Sequence, residues 1–161
     1  MSDKYNFKEL KKIIADFTGD ILITFPEQLS NIDKNLLAIF EYNNKSNMEY
    51  KNNYSQSNND EEDDVDEDCD DEDDSNKNNK NEELDEDILN SIEEVYKHCY
   101  KVYPERFFDI LYQNEEIFDN EDLNIHFLPG IDFKILWKEN ISDNTKNNIW
   151  KYLQLILFTI I

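Results

Sequence analysis

The sequence predicts an all-α fold, a small bundle of about five helices interrupted by a long, disordered, acidic insertion. Apolar residues recur at spacings of three and four along most of the chain, which is the period of an amphipathic helix. Glycine occurs only at positions 19 and 130, which leaves few places for the positive-φ turns that sheets and phosphate-binding loops need. Thirteen of the 38 acidic residues fall in residues 60–74, so this run carries more than half of the net charge of −22.

Residues 4–42 are predicted to form the N-terminal helices of the domain. The first helix ends or kinks at Gly19 and has an apolar stripe of Phe7, Leu10, Ile13, Ile14 and Phe17. Residues 21–25 are β-branched enough for a strand, but Asp20 as N-cap and Pro26 at the first helical position favour a helix. A second helix over 26–42 then has the stripe Leu29, Ile32, Leu36, Leu37 and Phe40.

Residues 43–82 are predicted to be a disordered insertion rich in Asn, Asp and Glu. They contain almost no side chain that could be buried, and ordering each residue costs about 1 to 2 kcal/mol of backbone entropy. Like charges at adjacent positions also repel one another. We therefore expect this segment to remain outside the folded domain.

Residues 83–161 are predicted to supply the C-terminal helices of the same domain. A third helix reaches the break at Tyr103–Pro104 and has the apolar stripe Leu84, Ile88, Ile92, Val95, Cys99 and Val102. A fourth helix opens with Pro104 and Glu105 in a favoured first turn and aligns Phe107, Phe108, Leu111 and Phe118.

The stretch "NIHFLPGIDFKILW" is predicted to be a packed loop that ends in a short helical turn. Pro129 and Gly130 interrupt it, and its expected core contacts are Phe127, Leu128, Ile131, Phe133, Leu136 and Trp137. A last helix follows, with Ser142 or Asp143 as N-cap and the core residues Ile149, Trp150, Leu153, Ile156, Leu157 and Ile160.

The thirteen residues from 149 to 161 are almost wholly apolar, and they allow four interpretations. A membrane span needs about 20 apolar residues, so we expect none here. A helix apolar on every face is normally the central helix of a core, which is the favoured interpretation. The alternatives are a surface for a partner protein, or a chain that has lost a C-terminal continuation.

No metal site is expected, although three side chains could in principle ligate a soft metal. His98 and Cys99 are adjacent and cannot both face one point from a helix, while His126 stands alone. Cys99 is predicted to be a small core residue. The acidic run lacks the Gly and the bidentate Glu of a calcium loop, so no specific calcium site is expected there and divalent binding would be loose at most.

No enzymatic activity is predicted, because the sequence lacks a nucleophile paired with a base and lacks a Gly-rich phosphate loop. No catalytic residue and no cofactor are therefore assigned. Direct binding of nucleic acid is disfavoured, because 38 acidic residues against 16 basic ones repel phosphate. The acidic run could instead attract a basic protein, or it could simply maintain solubility.

The two cysteines, Cys69 and Cys99, do not form the pattern of a disulfide framework, which indicates a reducing compartment. The N-terminus has mixed charge and no apolar stretch, so neither a signal peptide nor a targeting helix is expected.

Three blocks of sequence together resemble a family of uncharacterised proteins of giant, mimivirus-like, nucleocytoplasmic large DNA viruses: "VYPERFFDILYQNEEIF" (102–118), "FLPGIDFKILW" (127–137) and "SDNTKNNIWKYLQLILF" (142–158). The resemblance implies a virus that replicates in the host cytoplasm, and the abundance of Asn, Ile and Lys suits an A+T-rich genome. Family members continue beyond the apolar helix, which favours truncation or a divergent short copy.

The function predicted from these observations is that of a non-enzymatic interaction or structural protein, located in the viral factory or the virion. The alternative is an acidic adaptor or chaperone-like regulator that binds basic, nucleic-acid-associated proteins. A viral or basic host protein is thus the expected partner, and the oligomeric state is left open.

Overall fold

The computed structural model describes residues 3–54 and 85–161, which form α-helices and short 3-10 helices. In chain order the α-helices are α1 (Asp3–Thr24), α2 (Lys34–Tyr54), α3 (Glu86–Val102), α4 (Phe107–Leu111), α5 (Phe133–Lys138) and α6 (Asp143–Ile160). The 3-10 helices are Pro26–Ser30, Pro104–Arg106 and Glu115–Phe118. The all-α prediction is confirmed, since these residues include no strand and only an isolated bridge between Leu128 and Ile131.

Helix α1 continues through Gly19 to Thr24, so of the two predicted alternatives at this glycine a helix stop was wrong. The helix predicted over residues 21–25, in preference to a strand, is borne out up to Thr24 as the last turn of α1. Gly19 serves packing instead, because a Cβ there would lie only 3.1 Å from Cε2 of Phe40 on α2. The missing side chain lets the two helices approach closely.

The second predicted helix is divided in two by a contact from a distant part of the chain. The 3-10 helix Pro26–Ser30 comes first, and α2 begins at Lys34, where the carboxylate of Asp33 accepts a bond from the backbone N–H of Asn35 at 2.8 Å. The backbone N–H of Asp33 also donates to the carbonyl oxygen of Pro129 at 3.4 Å. Leu29, predicted to lie on the buried stripe, is exposed as a result of this break.

Helix α2 extends to Tyr54, so the predicted disordered insertion began too early, at residue 43. Lengthening a helix that is already nucleated adds one hydrogen bond for each residue fixed, which offsets a polar composition. Just before this extension, Nζ of Lys11 on α1 lies 5.1 Å from the centre of the Tyr42 ring, which anchors the preceding turn of α2. The rest of the predicted insertion, 55–82, lies outside the described residues.

Helix α3 ends at the predicted break and has the predicted buried stripe from Ile88 to Val102, whereas Leu84, predicted to open that stripe, lies outside the described residues. The fourth predicted helix was wrong in both length and phase. α4 ends after Leu111, because Gln113 takes a positive φ of 53° and Asn114 caps the next 3-10 helix by accepting from the N–H of Glu116. Ile110 is its buried residue, whereas Phe108 points into solvent.

The segment predicted as a packed loop ending in a helical turn is confirmed, since five of its six expected core residues are fully buried and Trp137 is partly buried. The five are Phe127, Leu128, Ile131, Phe133 and Leu136. Gly130 has a φ of 81°, which favours glycine, and a Cβ there would overlap the carbonyl oxygen of Asn31. This turn therefore fits closely against the segment between the two N-terminal helices.

Helix α6 begins at the predicted N-cap Ser142, whose hydroxyl accepts from the N–H of Thr145, and it buries all six predicted core residues. It contacts α1, α3 and α4. Its outer face leaves Leu155 and Phe158 exposed, so the expectation that other helices enclose it on all sides was wrong. None of the helices in the described part of the chain is long and apolar enough to cross a bilayer.

Candidate interaction surface

The side chains considered for metal binding lie in different surroundings. Cys99 is fully buried, and burial raises the pKa of its thiol to about 12, so it behaves as an apolar core group. The Nε2–H of the neighbouring His98 donates to the carbonyl oxygen of His126 at 2.6 Å, which ties the imidazole to the backbone. Across residues 3–54 and 85–161, no three His, Cys, Asp or Glu side chains converge to hold a metal ion.

A groove of about 640 Å³ runs between α1 and α2, beside the 3-10 helix Pro26–Ser30. It is open to solvent and combines an apolar floor with polar walls. The apolar lining consists of Ala15, Gly19, Leu22, Ile23, Pro26, Leu29 and Phe40; the polar lining consists of Asp16, Asp20, Asn43, Asn44, Asn47 and Tyr152.

Small residues on α1 determine the depth of this groove. Ala15 and Gly19 lie one helical turn apart, and the Phe40 ring packs against the bare Cα of Gly19. Since no side chain projects from these two positions beyond a methyl group, the floor lies close to the α1 backbone. The adjoining residues of α1 form the walls.

One wall carries two carboxylates, Asp16 and Asp20, which lie on successive turns of α1 and point to the same side. The hydroxyl of Tyr152 donates to Oδ2 of Asp20 at 2.5 Å, across from α6. Within the described ranges neither carboxylate forms an ion pair. Both residues are exposed, so a cation from another molecule can reach their carboxylates.

Tyr152 is fixed in this position by stacking on Phe17, with ring centroids 4.7 Å apart and an angle of 12° between the planes. Partial burial raises the pKa of the Tyr152 phenol well above its ordinary value, and the hydrogen bond to Asp20 and the charges of Asp20 and Asp16 add to the effect. The hydroxyl thus keeps its proton throughout the physiological range and holds the Asp20 carboxylate in one orientation.

At the end of the groove near Pro26, two large aliphatic side chains face solvent. Ile23 is 80% exposed and Leu29 is 56% exposed. A second depression, of about 250 Å³, lies on the other side of Ile23 and shares Asp20, Ile23 and Tyr152 with the groove. Ile23 is thus a projecting apolar side chain with a concave surface on each side.

A further pair of carboxylates lies next to Leu29. Glu27 on the 3-10 helix Pro26–Ser30 and Glu139 at the end of α5 approach each other closely enough to share a hydrogen bond. Desolvation, the charge of Glu27 and that hydrogen bond together raise the pKa of Glu139. Glu27 lies two residues before the exposed Leu29, on the same 3-10 helix.

A second set of exposed apolar residues lies on α4. Phe108 is 69% exposed and Tyr112, just after α4, is 74% exposed, and their rings stack at 6.4 Å. Neither residue lines the groove, so this pair provides a matched control for experiments on it.

The sequence-based prediction assigned no site residues, and the groove was not foreseen. One signal was present: Ile23 follows the buried Ile21 by two positions, which turns it about 200° away from the core stripe of α1. The concave shape itself depends on how α1, α2 and the 3-10 helix Pro26–Ser30 meet, and local periodicity does not encode that.

Comparisons of the whole chain with protein-family models, with curated proteins and with solved structures found no match. The geometry described above is therefore the basis on which a function is proposed.

Proposed function

We propose that this protein is a non-enzymatic interaction protein of a large DNA virus, and that the groove between α1 and α2 is the surface that binds its partner. The observation that carries the proposal is the exposure of Ile23 and Leu29 at the edge of a concave, partly apolar surface. Covering one such side chain gains roughly 1.5 to 3 kcal/mol, which makes an exposed apolar groove a typical partner site.

A second candidate is that of an acidic adaptor or chaperone-like regulator of basic, nucleic-acid-associated proteins. The carboxylates along the groove favour it, since Asp16 and Asp20 have no cationic partner within the part of the chain that the structure describes. The net charge of −22 would attract a basic protein from a distance and speed its association.

The resemblance to giant-virus proteins supports a location of either candidate in the host cytoplasm, at the viral factory, or in the virion. The two differ in abundance and location. A structural protein should be present at high copy number in purified particles, whereas a regulator should be found mainly in extracts of infected cells.

The proposed surface is tested by purifying the tagged full-length chain from infected cells and quantifying bound proteins by mass spectrometry. The groove variant Ile23→Gln/Leu29→Gln is compared with the wild type and with the control variant Phe108→Gln/Tyr112→Gln. We expect at least one partner that the groove variant loses and the control variant retains. Identical partner profiles for all three chains would refute the proposal.

A further inference from the structure

We infer that the groove binds an amphipathic α-helix of a partner protein, in which two Lys or Arg residues stand one turn apart and precede or follow apolar residues on the same face. This inference rests on the proposed function, because it specifies the kind of partner segment that the same groove accepts. Three features of the molecule support it: the shape of the groove, the backbone available to a ligand, and the placement of charge.

The shape of the groove favours a segment of a macromolecule over a small ligand. Sites for small molecules usually bury 70 to 90% of the ligand surface, whereas this groove is open to solvent. Ile23 also projects outward with a depression on each side, so a ligand that covered it would have to span both depressions. A helix with apolar side chains on one face could do so.

The available backbone favours a helical ligand. Peptides that bind by strand addition need the unpaired edge of a sheet, and residues 3–54 and 85–161 form no strand. The groove is instead bounded by helices α1 and α2, the arrangement in which a partner helix inserts its apolar side chains between two others.

The charges determine where basic residues of the ligand must lie. Covering Asp16 and Asp20 with an apolar surface would cost the hydration of two carboxylates, which only a paired cation compensates. These residues are four positions apart on α1, or about 6 Å along the helix axis. Two basic residues of a partner helix at positions i and i+4 have the same separation.

The apolar part of the ligand must then lie beyond the basic pair. Ile23 is three residues after Asp20, about 4.5 Å further along α1, and Leu29 follows on the adjoining 3-10 helix. The ligand helix should therefore present apolar residues one to two turns from its basic pair. Its chain direction relative to α1 decides whether they precede or follow the pair.

The experiment uses a displayed library of helical peptides selected on the full-length protein. The library places Lys or Arg at positions i and i+4 and varies the apolar residues at i+7, i+8 and i+11, in both orders along the peptide. A matched library has Gln in place of the basic residues. Affinities of enriched peptides are measured by fluorescence anisotropy at about 150 mM salt, where only nearby charges interact strongly.

We expect enrichment from the basic library alone and a loss of affinity in both groove variants. Asp16→Asn/Asp20→Asn should weaken binding roughly fivefold, as two partly exposed ion pairs would. Ile23→Gln/Leu29→Gln should weaken it about tenfold or more, because these side chains are the apolar contacts. Glu121→Gln/Asp122→Asn removes equal charge from an exposed turn away from the groove and should change affinity less than about twofold.

Two results would overturn the inference. One is equal enrichment from the two libraries. The other is binding that resists both groove variants and falls only when the acidic residues of 60–74 are replaced by Asn and Gln, which would locate the peptide on the acidic run. In either case, partners purified from infected cells can still be lost in Ile23→Gln/Leu29→Gln. The groove is then still the partner-binding surface, but its partner is not a basic amphipathic helix. If peptides bind as expected while the infected-cell profiles are identical, the proposed function fails instead.

Discussion

The inner face of α6 and the corner where α1 meets the 3-10 helix Pro26–Ser30 both carry large apolar residues, yet the first is buried and the second is exposed. The six core residues of α6 are buried beneath α1, α3 and α4. At the corner, Ile23 and Leu29 face solvent. The difference shows that apolar density alone does not define the core; a second element must also cross the apolar face.

The largest effect is expected from deleting residues 153–161. This removes four buried side chains: Leu153, Ile156, Leu157 and Ile160. Burying each contributes about 1.5 to 3 kcal/mol, so their sum is comparable with the whole unfolding free energy of a typical domain, about 5 to 15 kcal/mol. The truncated chain should lose its cooperative thermal transition by circular dichroism.

The control for this deletion is Ile23→Gln/Leu29→Gln, which also removes large apolar side chains but from the exposed corner. It should melt like the wild type. A truncated chain that retained the parental transition would show that the inner face of α6 does not hold the domain together.

Replacing Trp150 by Ala should destabilise the domain by about 3 to 5 kcal/mol, as large-to-small changes in a core do. Its ring packs edge-on against Phe118 and Trp137, at 5.5 and 5.6 Å. The matched change at the corner, Ile23→Ala, should alter stability by less than about 0.5 kcal/mol. Urea unfolding with a common m-value measures both, and equal losses in the two variants would contradict the contrast.

A smaller effect is expected at the two glycines. Gly130→Ala should cost at least about 1 to 2 kcal/mol, because φ is positive and the new methyl would overlap the backbone of Asn31. Gly19→Ala gains about 1 kcal/mol of helix propensity and meets only the Phe40 ring, at 3.1 Å. It should therefore change stability by no more than about 1 kcal/mol in either direction. Chemical denaturation of both variants tests whether an added methyl group is tolerated less well against backbone at the turn than against a side chain at the groove.

The smallest effect is expected from Glu139→Gln, beside the corner. The raised pKa of Glu139 means that the folded state binds a proton more readily than the unfolded state does. Protonation of Glu139 therefore stabilises the folded state at low pH. This contribution to the unfolding free energy is lost as the pH rises through the folded-state pKa of Glu139. The variant should be slightly more stable than the wild type at about pH 7, and the difference should vanish at about pH 4.

Thermal melts across this pH range measure the difference, with Glu121→Gln as a control at an exposed glutamate elsewhere on the surface. A variant that is less stable than the wild type at neutral pH would mean that Glu139 and Glu27 do not repel each other.

The parts of the fold that could be predicted from sequence are those with long, regular apolar stripes. The stripes of α3 and α6 each extend over about three turns or more, so their phase is unambiguous, and the buried residues match the prediction. α4 has only five residues, too few to define a phase, and Ile110 rather than Phe108 faces the core.

The remaining differences arise from contacts distant in sequence. The predicted second helix is divided because the turn at Gly130 occupies the space beside Asn31 and Asp33. The groove depends in the same way on the approach of α2 to Gly19, and on Tyr152 of α6, which bonds Asp20. The local sequence of each segment does not indicate which distant residues it contacts.

The pairing of α1 with α6 has a consequence for synthesis of the protein. Phe17 stacks on Tyr152, yet at about 5 to 20 residues per second the ribosome needs roughly 6 to 24 seconds to pass from Thr24 to Asp143. During that interval the apolar face of α1 on the nascent chain lacks its final cover. Ribosome-bound chains stalled before residue 143 should therefore recruit chaperones and be cleaved in α1 by protease, whereas released chains should resist.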